Sequence, residues 1–332
     1  MDDLKQTASP KRPPNALHGV LIVDKPKGLT SHDVVAQLRR RLGVREIGHA
    51  GTLDPMATGV LVVAIGEATK LSAYLTAASK SYEARVELGV ATNTLDAEGE
   101  VSETRAVSDA LVRELAGARD LVGATARDVG SLLERALAIE LARVEQIPPQ
   151  FSAIQKDGQR AYAQARRGET VELDARAVQV HDLAITGVCL EPPSVDVTLH
   201  VAKGYYVRAF ARDFAAALGT VGHLGALRRT ASGRFDIADA STLDLTRDAL
   251  IARLIPLETA ARATLPSATL SKQGLIDARH GRAVRLEDVI TGDGGPLPHA
   301  WFDCDGALVA IGVLAGDCWK VLRGVVPHVS LL

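Results

Sequence analysis

Apolar positions along the chain change rhythm several times, and each change predicts an element. Gly19-Val-Leu-Ile-Val-Asp24 is a short apolar run stopped by Lys25-Pro-Lys-Gly28, which reads as a strand and a turn. Thr30 or Ser31 then offers an N-cap, and Val34, Val35, Leu38 and Leu42 recur at helical spacing until Gly43. Val60 to Ile65 is a second apolar, β-branched run of the kind that is buried as a strand. Ala68 to Leu75 reads as helix, while Ser81 to Leu88 and Val195 to Val201 alternate as half-exposed strands. Ser108 to Arg143 reads as two helices broken near Val122 and Gly123, and Val207 to Leu218 as an amphipathic helix ended by Gly219.

Strands and helices mix without regular βαβ alternation, so the expected fold class is α+β rather than a doubly wound sheet. Composition shifts near Pro256 to Pro266. Beyond it Gly and Pro are dense, and the short runs Ala307–Val313 and Trp319–Arg323 suggest a small β-barrel. The expected organisation is therefore a disordered tail over 1–15, a catalytic domain over 16–256, and a second domain over 262–332. An acidic helical insertion at about 108–143 interrupts the first of these.

Composition adds exclusions. At 47% hydrophobic and 23% charged the chain is an ordinary globular one. Cys189, Cys304 and Cys318 form no CxxC pair, which argues against a disulfide framework or zinc site and fits a reducing cytoplasm. The polar, proline-rich start lacks the apolar core of a signal peptide, and no apolar run is long enough for a membrane helix. A net charge of −2 speaks weakly against nucleic-acid binding, but the charge is unevenly spread. Between Asp96 and Glu145 eleven acidic residues face six Arg, whereas Arg39–Arg41, Arg160 with Arg166–Arg167, Lys203 with Arg208 and Arg212, and Arg228–Arg229 are basic clusters. An acidic insertion can hide a basic face from the whole-chain sum.

One loop concentrates chemistry. In Gly48-His-Ala-Gly-Thr-Leu-Asp-Pro-Met-Ala-Thr-Gly59, glycines allow close backbone approach and Pro55 stiffens the chain after Asp54. The residues alone leave four uses open for Asp54: a turn residue, part of a phosphate cradle, a metal ligand with His49, or a catalytic carboxylate. The turn is the commonest of these. No GK[ST] follows, no dinucleotide fingerprint fits, and no third ligand lies near in sequence.

Gly19–Ser31 followed by Gly48–Leu61 closely resembles the TruB family of bacterial tRNA pseudouridine-55 synthases. The resemblance continues in family order through Gly66–Lys70, Lys80-Ser-Tyr82, Gly89–Gly99, Gln146–Ile154, Lys203–Arg208 and Leu227-Arg-Arg229. It implies a mixed-sheet catalytic domain followed by a PUA-like RNA-binding barrel. The implied activity isomerises uridine 55 in the T loop of tRNA, by base flipping and an aspartate-dependent exchange of the C–N for a C–C glycosidic bond. No cofactor or metal is implied. The implied partner is the T arm of tRNA, bound by a cytoplasmic monomer.

Residue by residue, the resemblance makes Asp54 the nucleophile, attacking ribose C1′ or ring C6 or assisting a glycal route. Such a carboxylate must be ionised, which burial opposes and a neighbouring cation favours; Arg208 matches the family's arginine partner. Tyr82 matches the tyrosine that stacks on the base and receives the C5 proton. Tyr206 matches a second pocket tyrosine, Leu227 an apolar wall, and His49 the histidine that fills the space left by the flipped uridine. Arg228 and Arg229 are expected to touch phosphates, as are Arg160 to Arg167. Lys25 and Lys70 are expected to make structural or backbone contacts. Two departures stand out: Gly204-Tyr205-Tyr206 where Gly-Thr-Tyr is usual, and a longer Ser108–Arg143 segment. A rival function is a tRNA-binding or tRNA-folding chaperone on the same scaffold. A pure binder would not need Asp54, Tyr82 and Arg208 together. A relative working inside a ribonucleoprotein is disfavoured by the missing Lys-rich tail.

Overall fold

The computed structural model describes residues 17–117, 131–152 and 173–325 except 293, 294 and 296, with 155–156, 159–160 and 167 in addition. The predicted tail, the helix break near Val122, Arg166 and the side chain of Arg160 lie outside the described part.

Seven strands make the frame of the large sheet: β1 (Gly19–Lys25), β2 (Ile47–Ala50), β3 (Thr58–Ile65), β4 (Lys80–Leu88), β5 (Val180–Leu190), β6 (Pro193–Val201) and β7 (Gly222–Ser232). Across the sheet the order is β5-β6-β4-β7-β3-β1, with Ile255–Pro256 beyond β1, Phe235–Asp236 on β7 and β2 on β3. Every pairing is antiparallel except β7 with β3, where Arg229 lies opposite Gly59. A Cβ on Gly59 would come within 2.2 Å of the Arg229 carbonyl oxygen, so this crossing requires glycine.

The continuous apolar runs of β1 and β3 are explained by cover on both faces. Leu21, Val23, Leu61 and Val63 pack against Val34, Val35, Leu38 and Leu42 of α1 (Ser31–Leu42). Val20, Ile22, Val60 and Val62 face the other way, onto Leu71, Leu75 and the C-terminal part of the chain. Thr30 caps α1 in a capping box with Asp33, and Gly43 ends it in the left-handed conformation. The alternating β4, β5 and β6 bury Val86, Leu183, Ile185, Val195 and Val197 against α2 (Asp109–Gly117), α3 (Leu132–Leu141) and α4 (Val207–Ala217). The predicted helix over Ala68–Leu75 is a 3-10 turn, Gly66–Leu71, running into a helix over Ser72–Ala77.

Leu257–Thr264 is a helix whose Leu257, Ala260 and Ala261 share one apolar cluster with β1, β3 and with Ala300, Phe302 and Ile311. A six-stranded sheet follows in the order Val284–Arg285, Cys318–Gly324, Leu308–Ala315, His299–Phe302, Ser267–Leu270, Val289–Gly292. Its two edge strands are joined only by the turn Leu286–Asp288, which brings the edges together as a barrel-like unit around Trp301 and Trp319. Lys70 donates to the Gly324 carbonyl at 2.6 Å and so ties the 3-10 turn to that unit, a backbone contact of the kind expected of it.

Candidate active site

The Asp54 loop runs from β2 to β3, and the segment Lys25–Ser31 holds it in place. The Ser31 hydroxyl both accepts from the Leu53 N–H at 2.9 Å and donates to the Leu53 carbonyl at 3.1 Å. On the other side of Asp54, the Pro55 carbonyl accepts from the Gly28 N–H at 2.8 Å and from Lys25 Nζ at 3.4 Å. Lys25 is 0% exposed and also donates to the Pro26 and Leu29 carbonyls. Burial lowers its pKa, and Asp54 is the largest opposing charge. The expected structural role of Lys25 is therefore specific: it fixes the peptide next to the carboxylate.

Asp54 projects into a cavity of about 750 Å³. Its Oδ2 lies 2.9 Å from Arg208 Nε, with the carboxylate side chain 36% exposed and the arginine only 9%. Arg208 stands in the first turn of α4, after the turn Gly204-Tyr205-Tyr206. Its remaining donors go to carbonyls: Nη1 to Thr94 at 3.0 Å and Nη2 to Phe151 at 2.9 Å. One guanidinium thus joins the Asp54 loop, the Thr94 turn and the segment after Gln146. Tyr82, Tyr206 and Leu227 line the same cavity. Burial raises the pKa of Tyr206, whose backbone N–H donates to Gln146 Oε1 at 2.9 Å.

Asp96 carries no role in the sequence reading above. It is buried, and its Oδ2 is 3.7 Å from Arg208 Nε. The Thr94 hydroxyl donates to Asp96 Oδ1 at 2.6 Å, and Glu98 N–H donates to the same oxygen at 3.1 Å. Asp96 therefore braces the arginine at the same nitrogen that meets Asp54. The only available signal was its position inside the Gly89–Gly99 block.

Arg228 and Arg229, expected together at phosphates, sit in different surroundings. Arg229 is 1% exposed, and donates through Nε to the Val60 carbonyl at 2.6 Å and through Nη2 to the Gly51 carbonyl at 3.0 Å. It is a buried strut beneath the loop. Arg228 alternates to the opposite face of β7 and makes a two-pronged ion pair with Asp24, at 2.8 and 3.1 Å. It does not reach the Asp54 cavity.

His49 lies on β2 and does not line the cavity. Its Nδ1 is buried without a partner, and its ring meets His32 edge to face at 5.3 Å between centroids. Burial, then the charges of His32 and Arg229, lower its pKa, so the neutral imidazole is favoured. The Tyr205 ring, present where threonine is usual, is buried with its hydroxyl unpaired, and burial pushes its pKa far up. Among the described residues, no group of three or more His, Cys, Asp and Glu is arranged to hold a metal.

Residues 39–207 match the model of the TruB family pseudouridylate synthase N-terminal domain, and 208–265 that of the tRNA pseudouridylate synthase B C-terminal domain. The chain belongs to the TruB family. Curated TruB relatives named tRNA pseudouridine synthase B include one from Thermobifida fusca, 43% identical over 88% of this chain and 93% of that protein. Another, from Arthrobacter sp., is 42% identical over 92% and 95%, and one from Mycobacterium sp. is 45% identical over 80% and 84%. Among solved structures, a Cbf5-Nop10-Gar1 complex aligns with TM-score 0.66 over 93% of this chain and 85% of that chain, at 22% identity. An H/ACA RNP bound to a substrate RNA aligns with TM-score 0.64, over 93% and 86%. These two bear on the fold alone, and agree with the mixed α+β sheet followed by a barrel-like unit. The second TruB model begins at Arg208, so the boundary between the two models falls within the site and not at the break near residue 256.

Proposed function

We propose that this TruB-family chain isomerises uridine 55 in the T loop of tRNA to pseudouridine. The observation that carries the reading is the Asp54–Arg208 contact of 2.9 Å inside a cavity walled by Tyr82. A cavity of about 750 Å³ is large enough for an extruded nucleoside with room to turn.

The chemistry is an internal exchange. The N1–C1′ bond breaks, the ring rotates about the pocket, and C5 bonds to the same ribose carbon. A proton leaves C5 and another arrives at N1, so no oxidant, reductant or outside group enters. Asp54 supplies the nucleophile, at C1′ or C6 or by assisting a glycal route. Arg208 holds the carboxylate's direction and its counter-charge. The Tyr82 ring supports the base, and aromatic stacking of this kind contributes about 1–3 kcal/mol per base. Its hydroxyl receives the C5 proton. His49, kept uncharged, fills the stack that the uridine leaves. The barrel-like C-terminal unit serves as a PUA-like contact reaching toward the acceptor end, and a single chain acts on one tRNA.

The test supplies tRNA tritiated at uridine C5. The wild-type chain should release tritium while Asp54→Asn binds the RNA and releases none. Equal release by Asp54→Asn overturns the nucleophile, and binding without release by wild type favours a tRNA chaperone instead.

A further inference from the structure

The cavity carries charges of both signs. Asp54, Asp96 and Glu98 line it, and Arg208 contacts the first two. Lys80 and Arg229 line it too, and the charge of Lys203, in the adjoining turn, acts on Lys80. Lys80 begins β4 two residues before Tyr82, on the same inward face, and its register partner Val201 ends β6 just before the turn that carries Lys203. Tyr82 is itself paired across the sheet with Arg229. The base-stacking ring is thus flanked by cations along the strand and across it.

None of these three cations has a carboxylate partner among the described residues. Lys80 is 7% exposed and spends two N–H groups on the Thr76 and Ala78 carbonyls. Arg229 spends Nε and Nη2 on carbonyls, leaving Nη1. Gly51, at φ +91°, is the gap above them: a Cβ there would lie 3.4 Å from Arg229 Nη1 and 3.7 Å from Lys80 Cε. Burial and the like charges of Arg229 and Lys203 lower the Lys80 pKa to about 8. Two neighbouring buried cations with spare donors and no carboxylate partner, beside a third on the adjoining turn, are the arrangement of an anion site whose anion comes with the substrate. A phosphodiester is the anion that an RNA strand brings beside every extruded base.

We propose that Lys80 and Lys203, backed by Arg229, bind the backbone phosphodiester adjoining the flipped uridine. This rests on the RNA substrate proposed above, and it assigns Lys80 a substrate contact in place of a purely structural one.

The test measures T-arm stem–loop affinity for Asp54→Asn protein at several salt concentrations, alone and with Lys80→Met or Lys203→Met added. Each lysine that meets a phosphate should lower the slope of log affinity against log salt by about 0.7–0.9 when replaced. A methylphosphonate beside the target uridine should weaken binding to Asp54→Asn and weaken it no further in Asp54→Asn/Lys80→Met. Unchanged slopes with equal methylphosphonate losses in both proteins overturn the subsite while the substrate reading stands. Absence of any stem–loop binding by Asp54→Asn overturns both. If Lys80→Met binds normally but slows single-turnover conversion at saturating RNA, the charge acts on the uracil ring and the phosphate proposal fails. Lys203 is exposed in its turn, so Lys203→Met keeps the test decisive should Lys80→Met fold poorly.

Discussion

Asp54 and Asp96 share one nitrogen: Arg208 Nε lies 2.9 Å from Oδ2 of the first and 3.7 Å from Oδ2 of the second. The guanidinium is therefore aimed by two carboxylates, of which only Asp54 has room to meet a substrate. Its other donors are held by the Thr94 and Phe151 carbonyls. Asp96→Asn keeps the shape but removes one of the two charges, so Arg208 can swing and carry Asp54 with it. The expected result is a fall in the single-turnover rate of about 10–100-fold with tRNA affinity nearly unchanged, since small misplacement of a reacting group has effects of that size. Arg208→Lys should do at least as much harm, because an ammonium cannot span the same four acceptors. A rate within twofold of wild type for Asp96→Asn would show that Asp96 only fills space.

Ser31→Ala tests the clamp on the catalytic loop. The hydroxyl satisfies both backbone groups of Leu53 in a buried setting, and its loss leaves them unpaired. Stability should fall by about 1–3 kcal/mol. Because Leu53 precedes the nucleophile, the rate of the chemical step should fall while the RNA affinity of the folded protein holds. Thermal melting and single-turnover kinetics read the two effects separately.

Much of this was legible in the sequence. The strands β1, β3, β4 and β6 and the helices α1 and α4 follow from apolar period and end signals, because each buries a continuous face. The central strand β7 was not legible. Gly222, His223, Gly225, Arg228, Arg229 and Ser232 carry little β signal, and two irregularities in its pairing with β4 blur the alternation. Missing that strand is why Arg228 and Arg229 read as one basic cluster, although neighbours on a strand face opposite ways. Asp54, Arg208, Tyr82, Tyr206 and Leu227 do converge as the resemblance implied. Asp96 and Lys80 escaped because their roles depend on contacts between distant elements, and nothing local marks a buried acid as a brace or a buried lysine as an anion ligand.

The pKa of His49 is lowered in the fold, so the unfolded chain takes up a proton there first as the pH falls through about 6.5. Above that pH the imidazole is neutral in both states and the full stability is present. Below it the unfolded state gains, and stability is lost on acidification. His49→Gln should remove this share, so its melting temperature should fall less than that of wild type between pH 7 and pH 5. Parallel pH profiles of the two proteins would contradict the buried, uncharged imidazole.

Lys80 supplies the opposite experiment. Its folded pKa of about 8 lies below the ordinary lysine value of 10.5, so between these the unfolded chain holds the proton more tightly. The charged lysine therefore carries a folding penalty that is fully present below pH 8 and fades as the pH rises toward 10.5. The shift corresponds to a penalty on the order of 3 kcal/mol. Lys80→Met keeps the length of the stem and removes the charge. It should melt a few degrees above wild type at pH 7 and lose that advantage by about pH 10. A gain in stability together with weaker RNA binding would mark a residue retained for its ligand at the expense of the fold, whereas a loss of stability at pH 7 would mean that the Thr76 and Ala78 carbonyls need the ammonium more than the RNA does.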